Sequence, residues 1–274
     1  LHRKAATTIF FESNGGQTKN AATVPEIRLA VAEPDIDIGN VETVLETLSS
    51  SCYFLRVEGS QYRFSLTPNL NKLLADRRAN IQAAKIDERT RQEIQKVFGE
   101  GKDVERVFFP EKSNQVPDRA WLTFVILSPD YSLEDNKATL EFVDSVTKEY
   151  GKSARTFKNA LIWCLPESAS GLREEARKVL AWEAIQDEQD ELRFDEGQKR
   201  QLQENVKKAQ RDLTESVWRS YKNIMLLGKD NSLRNLDLGL IHSSAGETIA
   251  KFIIEQLRKG GPHRYLLMPL CLAW

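Results

Sequence analysis

Trp121-Leu-Thr-Phe-Val-Ile-Leu-Ser-Pro129 is the stretch whose reading decides the fold class. It is apolar at successive positions, rich in β-branched and aromatic residues, and closed by proline. That is the pattern of a strand buried on both faces. A second such run, Asn159-Ala-Leu-Ile-Trp-Cys-Leu-Pro166, follows after one helical pattern. Between them Leu140, Val143, Val146 and Tyr150 recur at helical spacing, with Ser132 placed as N-cap and Gly151 as C-cap. Two buried runs joined by a helix predict a βαβ unit and an α/β fold.

Upstream, the pattern predicts helices over residues 1–13, with Ile9, Phe10 and Phe11 as the apolar side, from Pro25, and over 41–50. Cys52–Glu58 and Gln61–Ser65 flank Gly59-Ser60 as a β-hairpin, and Pro68 opens a further helix. Three helices followed by a hairpin is the order of a winged helix, so residues 1–80 are expected to form a winged-helix-like domain. Residues 81–260 are expected to form an α/β domain, entered by a linker helix over 81–98. Downstream of the βαβ core, a helix is expected over 171–185 and an acidic, solvated linker over 183–196. Leu202, Val206, Ala209, Leu213, Val217 and Tyr221 then mark one seam of a long amphipathic helix whose outer face is rich in Lys and Arg. Strands are expected over 223–227 and 236–242, and a last helix from a Ser244/Glu247 capping box to Lys259. The apolar tail 261–274 has no assigned surface to cover.

Charge narrows the function classes. The 39 Lys and Arg balance 40 Asp and Glu, so any nucleic-acid binding has to come from a local patch. No run of about 18 apolar residues exists, and no membrane partner is expected. Cys52, Cys164 and Cys271 are scattered and odd in number, which points to reduced thiols and a cytoplasmic setting. The chain opens on Leu1-His2-Arg3-Lys4, so it reads as a piece of a longer protein.

No catalytic constellation is legible. Gly151-Lys152-Ser153 mimics the end of a phosphate-binding loop, but the glycine required five residues earlier is Val146, and the triplet follows a helix instead of opening one. Gly99-Glu100-Gly101-Lys102 fails in the same way. Asp130, Asp135 and Lys137 resemble a metal-nuclease set but fall on a helix start with diverging side chains. Cys and His are not grouped at ligand spacing, so no metal is expected. His242 beside Ser243 and Ser244 reads as capping. Two sites stand as candidates. The basic residues Arg56, Arg63, Lys72, Arg77 and Arg78 surround the hairpin, whereas residues 36–55 carry Asp37, Glu42 and Glu46 and no Lys or Arg. An acidic helix there would be repelled by phosphate, so a nucleic acid would be met by the wing. Ser128, Asp130, Glu167 and Ser168 would meet at the strand-end edge if the two core strands are parallel neighbours.

Several phrases together resemble a family of large prokaryotic AAA+-type ATPases that carries a domain-of-unknown-function label and often lies near phage-defence genes. They are Ala22-Thr-Val-Pro-Glu-Ile-Arg-Leu-Ala-Val31, Gly59-Ser-Gln-Tyr-Arg-Phe-Ser-Leu-Thr-Pro-Asn-Leu-Asn-Lys-Leu73, Val107-Phe-Phe-Pro110, Leu122–Pro129, Phe157–Pro166 and Leu180-Ala-Trp-Glu-Ala-Ile185. The resemblance is to the region downstream of the ATPase core. It implies that ATP and Mg belong to the parent protein, that this chain holds no cofactor, and that its partners are the ATPase core of the same polypeptide and another protein or DNA. The expected function is a non-catalytic accessory fragment that couples the motor to a partner or substrate. The alternative is a nucleic-acid-binding module acting through its wing.

Overall fold

The computed structural model describes residues 1–16, 20–101, 104–246 and 248–259, without the side chains of Asp135, Asn136 and Ala245. In chain order the elements are α1 (His2–Ser13), β1 (Ala22–Thr23), α2 (Val24–Val31), α3 (Val41–Ser51), β2 (Leu55–Glu58), β3 (Gln61–Phe64) and α4 (Leu70–Asn80). Then follow α5 (Ala83–Gly99), β4 (Glu105–Phe108), β5 (Thr123–Ile126), α6 (Asn136–Lys148), β6 (Glu149–Tyr150), β7 (Ser153–Ala154) and β8 (Leu161–Leu165). The chain continues with α7 (Ser170–Asp187), α8 (Glu196–Ser220), β9 (Asn223–Leu227), β10 (Leu233–Asp237) and α9 (Ile249–Lys259). The architecture is mixed α/β. Residues 1–82 with 177–209 make one compact unit, and 83–176 with the residues from 210 onward make another.

In the first unit β1, β3 and β2 form an antiparallel sheet in that order. Gly59 turns the hairpin with φ +59°, the backbone that the first position of a two-residue type II′ loop requires. Thr23 and Glu26 form a capping box at the start of α2, and Pro25 sits in that first turn, where an N–H would have no intrahelical partner. Ala5 and Ile9 of α1, Ile27 and Val31 of α2, Val41, Val44, Leu45 and Leu48 of α3, and Leu55 of β2 close one core. Phe10 and Phe11 do not join it; they are 55% and 68% exposed. Helical geometry puts Ala5 and Ile9 on one stripe, and adjacent residues cannot share that stripe with Ile9.

The segment 177–209 packs with this unit. Gln198 is buried and its Nε2 donates to the Pro68 carbonyl at 2.9 Å. The acidic stretch expected to be a solvated linker joins the end of α7 at Asp187 to the start of α8 at Glu196 through a turn segment. Asp187, Asp190, Glu191, Asp195 and Glu196 are exposed as expected, but Phe194 is buried and anchors the turn.

The second unit is organised on a five-stranded sheet, β10-β9-β8-β5-β4. β4, β5 and β8 are parallel, while β9 and β10 join antiparallel. Residues 123–126 and 161–165 are all buried, as strands covered on both faces must be. Val125, Leu127, Leu161, Trp163, Leu165 and Met225 face Val143 and Val146 of α6 together with Val116. The Trp163 indole donates to Thr147 Oγ1, so α6 also satisfies the buried N–H. Elsewhere in this unit Phe98 of α5 meets the Tyr221 ring edge-on at 5.4 Å, and the Tyr221 hydroxyl donates to the Leu127 carbonyl at 2.7 Å.

Several boundaries differ from the sequence expectation. Trp121 lies outside β5 and is 59% exposed, because pairing begins at Thr123. α6 ends at Lys148, so Tyr150 leaves the inner face. Gly151 is no C-cap; it sits at φ +62° in the tight turn of the β6–β7 hairpin. β10 spans 233–237, not 236–242, since the turn at Gly228–Ser232 fixes its register with β9. α9 begins at Ile249, and both Glu247 and the tail 261–274 lie outside the described residues.

One buried arginine explains the Arg155-Thr-Phe-Lys-Asn-Ala-Leu phrase. Arg155 is 2% exposed, and its guanidinium donates to the carbonyls of Val146, Pro117, Ser113 and Val116 at 2.6–3.1 Å and to Glu149 at 3.5 Å. Asp118 accepts from the Thr156 and Phe157 amides at 2.9 and 2.8 Å. Together they tie the β4–β5 connection to the end of α6. Arg155→Ala strands these buried carbonyls and is expected to cost about 2–4 kcal/mol in urea unfolding, with Arg155→Lys recovering only part because an ammonium cannot span the fan. An unchanged unfolding midpoint for the alanine variant contradicts this.

Candidate functional site

The strand-end edge lies in the second unit. Register places Thr123 beside Leu161 and Ile126 beside Cys164, so β5 and β8 end together. Their continuations are held by Leu127 N to Cys164 O and by Leu133 N to Pro166 O. Ser128 and Asp130 do come together: Ser128 Oγ donates to Asp130 Oδ2 at 2.7 Å. Two arginines that the sequence did not mark complete the cluster. Arg173, in the first turn of α7, donates to Asp130 Oδ1 at 2.5 Å and to Asp87 at 2.7 Å. Arg91 of α5 reaches Asp130 Oδ2 at 3.1 Å and lies 5.8 Å from the Phe109 ring. Phe109 has φ +54°, a strained conformation for a bulky residue, and its N–H donates to the Ile126 carbonyl.

Glu167 and Ser168 share the edge but not the cluster. Glu167 binds Lys222 at 2.9 Å, which also faces Asp237 at 3.6 Å. Ser168 shares a 3.0 Å hydrogen bond with Ser170 at the start of α7. The Lys222 ammonium is held above its ordinary range by the Glu167 hydrogen bond, against desolvation and with help from Asp237.

The electrostatics are self-cancelling. Partial burial pushes the Asp130 carboxyl up, but hydrogen bonds from Ser128, Arg173 and Arg91, with the charge of Arg173, hold it below the usual carboxylate range. Asp87 and Asp130 neutralise Arg91 and Arg173, while Glu167 and Asp237 outnumber Lys222. No free cation is left in this cluster for an anionic ligand. Topology agrees. β4, β5 and β8 follow one another across the sheet in chain order, with no reversal between parallel strands, so no switch-point crevice opens at their ends. The cluster clasps α5, the β5 exit and the start of α7.

The other candidates are equally engaged. Burial pushes the Cys164 thiol well up, which makes it inert core. Ser243 donates its hydroxyl and its N–H to the Glu215 carboxylate, so no imidazole activates it; His242 stands 3.8 Å from the same carboxylate. Lys137 pairs with Glu141. Among the described residues no group of three or more His, Cys, Asp or Glu side chains is placed to hold a metal ion. No described helix is long and apolar enough to cross a membrane.

The basic set belongs to the first unit. On β2 and β3, Arg56 and Arg63 are register partners, and both approach Glu58. Arg56 also forks onto Asp195, Lys72 pairs with Asp76 at 2.6 Å, and Arg77 pairs with Glu188. Arg78 is engaged as well. The Arg56 hydrogen bond and charge, with the Gln198 and Gly197 amides, hold the Asp195 carboxyl low against partial burial. No family model, curated protein or solved structure matches the chain.

Because Asp130 titrates lower in the folded unit than in an unfolded chain, its contribution is complete above about pH 4 and is lost as pH falls through the folded value. Asp130→Asn is expected to flatten the acid limb of the stability–pH curve while costing no more than about 1 kcal/mol at neutral pH, since the carboxylate is half exposed. Identical acid limbs in the two proteins contradict the clasp.

Proposed function

We propose that this chain is a non-catalytic coupling module of a large AAA+-like ATPase, with a winged-helix-like first unit that docks onto the ATPase core of the same polypeptide. The observation that carries the reading is an unpartnered aromatic surface beside fully engaged charges. Phe10 packs against Phe11 and Phe64 with ring centroids 6.1 Å apart in each case, and both α1 rings face solvent. Leu29 and Leu66 are 80% and 97% exposed in the same unit. Exposed aromatic clusters of this kind mark protein contacts more often than chance placement does.

Two further points support the winged-helix part of the reading. Helices α1, α2 and α3 precede the β2–β3 hairpin, and β1 adds to β3 as the third strand. The acidic α3 suits a protein contact better than a major groove, because Glu42 there already holds Arg28. The resemblance to the AAA+-type family implies a motor elsewhere in the parent protein, and ATP with Mg would be bound there.

Calorimetric titration of the ATPase core with this chain tests the role. Phe10→Ser combined with Phe11→Ser is expected to weaken binding at least about tenfold, with thermal unfolding shifted only slightly because both rings are more than half exposed. Failure of the native chain to bind the core, or equal binding by the variant, overturns the reading.

A further inference from the structure

The acidic stretch 183–196 and the basic stretch 53–80 are charge complements within the first unit. The former carries seven acidic residues against one basic, the latter five basic against two acidic. They meet at two points: Asp195 lies in the fork of Arg56, and Glu188 is on Arg77. Arg56 is thereby almost covered, and Arg63 stands opposite it on the paired strand β3. A carboxylate in the fork of a guanidinium occupies the place a phosphate oxygen takes in nucleic-acid contacts.

We propose that the hairpin and the end of α4 form a nucleic-acid phosphate-binding surface that the chain's own acidic turn holds closed. The turn acts as an internal polyanion. Opening does not require the turn to leave. Phe194, Gln198 and Leu202 are buried and anchor the backbone, whereas the Asp195 and Glu188 side chains remain partly open to water. Arg56 and Arg77 need only exchange partners. The exchange is a competition between a carboxylate in cis and phosphates in trans, so it depends on salt and on how many phosphates act together. Asp195 and Glu188 are the two acids of this stretch paired with Arg56 and Arg77, while Glu196 pairs with Lys199 of α8. Phe10 adjoins this surface through Phe64 of β3, but the Arg56 and Arg77 ion pairs involve neither Phe10 nor Phe11.

Asp195 also starts α8, since its Oδ1 accepts from Gln198 N at 2.8 Å. Asparagine keeps that capping oxygen, so Asp195→Asn with Glu188→Gln removes charge and preserves the helix start. Fluorescence anisotropy with a labelled duplex DNA is the test. The native chain is expected to bind weakly. The neutralised variant is expected to bind at least about tenfold tighter at about 50 mM salt, with most of the gain lost by about 200 mM. Adding Arg56→Glu and Arg77→Glu is expected to abolish the gain. If the double variant unfolds more readily, Asp195→Ser alone keeps a capping oxygen and gives the same comparison. Equal binding by native and neutralised chains of equal stability overturns the proposal. So does a gain that survives the arginine reversals.

Discussion

Two parallel strands buried on both faces impose the constraint on which the second unit depends. β5 and β8 expose no edge and no face, so every peptide group needs a partner and both faces need cover. β4 and β9 supply the edges. One face is closed by α6 and the β4–β5 connection around Trp163 and Val125. That connection is long and largely irregular, and its carbonyls have no strand to pair with. Arg155 answers that need from within the core, and Asp118 answers it for the amides of Thr156 and Phe157. Partial burial raises the Asp118 carboxyl, yet these two amides and the Arg155 charge bring it below its ordinary range.

The same economy governs the charged surface. At the strand-end edge, arginines and carboxylates cancel in pairs, and beside the β2–β3 hairpin Asp195 and Glu188 answer Arg56 and Arg77. A chain with nearly equal numbers of acids and bases has two choices for a cluster of one sign: leave it for a partner or answer it internally. In both units the second choice is realised. Among the large apolar side chains left exposed are Phe10, Phe11, Leu29, Leu66, Trp121 and Leu240.

Much of the fold was legible in the pattern. The βαβ core, the α8 seam from Leu202 to Tyr221 and the hairpin at Gly59 follow from periodicity and turn chemistry, which are local. The misreadings share one cause. Trp121, Tyr150, Phe10 and Phe11 are apolar and were read as inward, but whether an apolar residue at the end of an element is covered depends on what passes over it. Gly151 suited a helix end and a hairpin turn equally well, and strand pairing decided between them. In the candidate site, Ser128 and Asp130 were found from their place after a strand. Arg91 and Arg173 carried no local mark, because an arginine on a polar helix face looks the same whether it meets water or a carboxylate far along the chain.

By itself, then, the sequence determined the α/β class, the positions of the core strands and the lack of a phosphate-loop glycine pattern, all properties of short-range order and side-chain type. Only the tertiary structure decided which charges were spent. Arg56 with Asp195 and Arg173 with Asp87 are separated by 139 and 86 residues, and no local rule pairs positions that far apart. Folding brings them together because burial of the flanking apolar residues fixes the backbones, and the ion pairs then form where the packed elements leave opposite charges side by side.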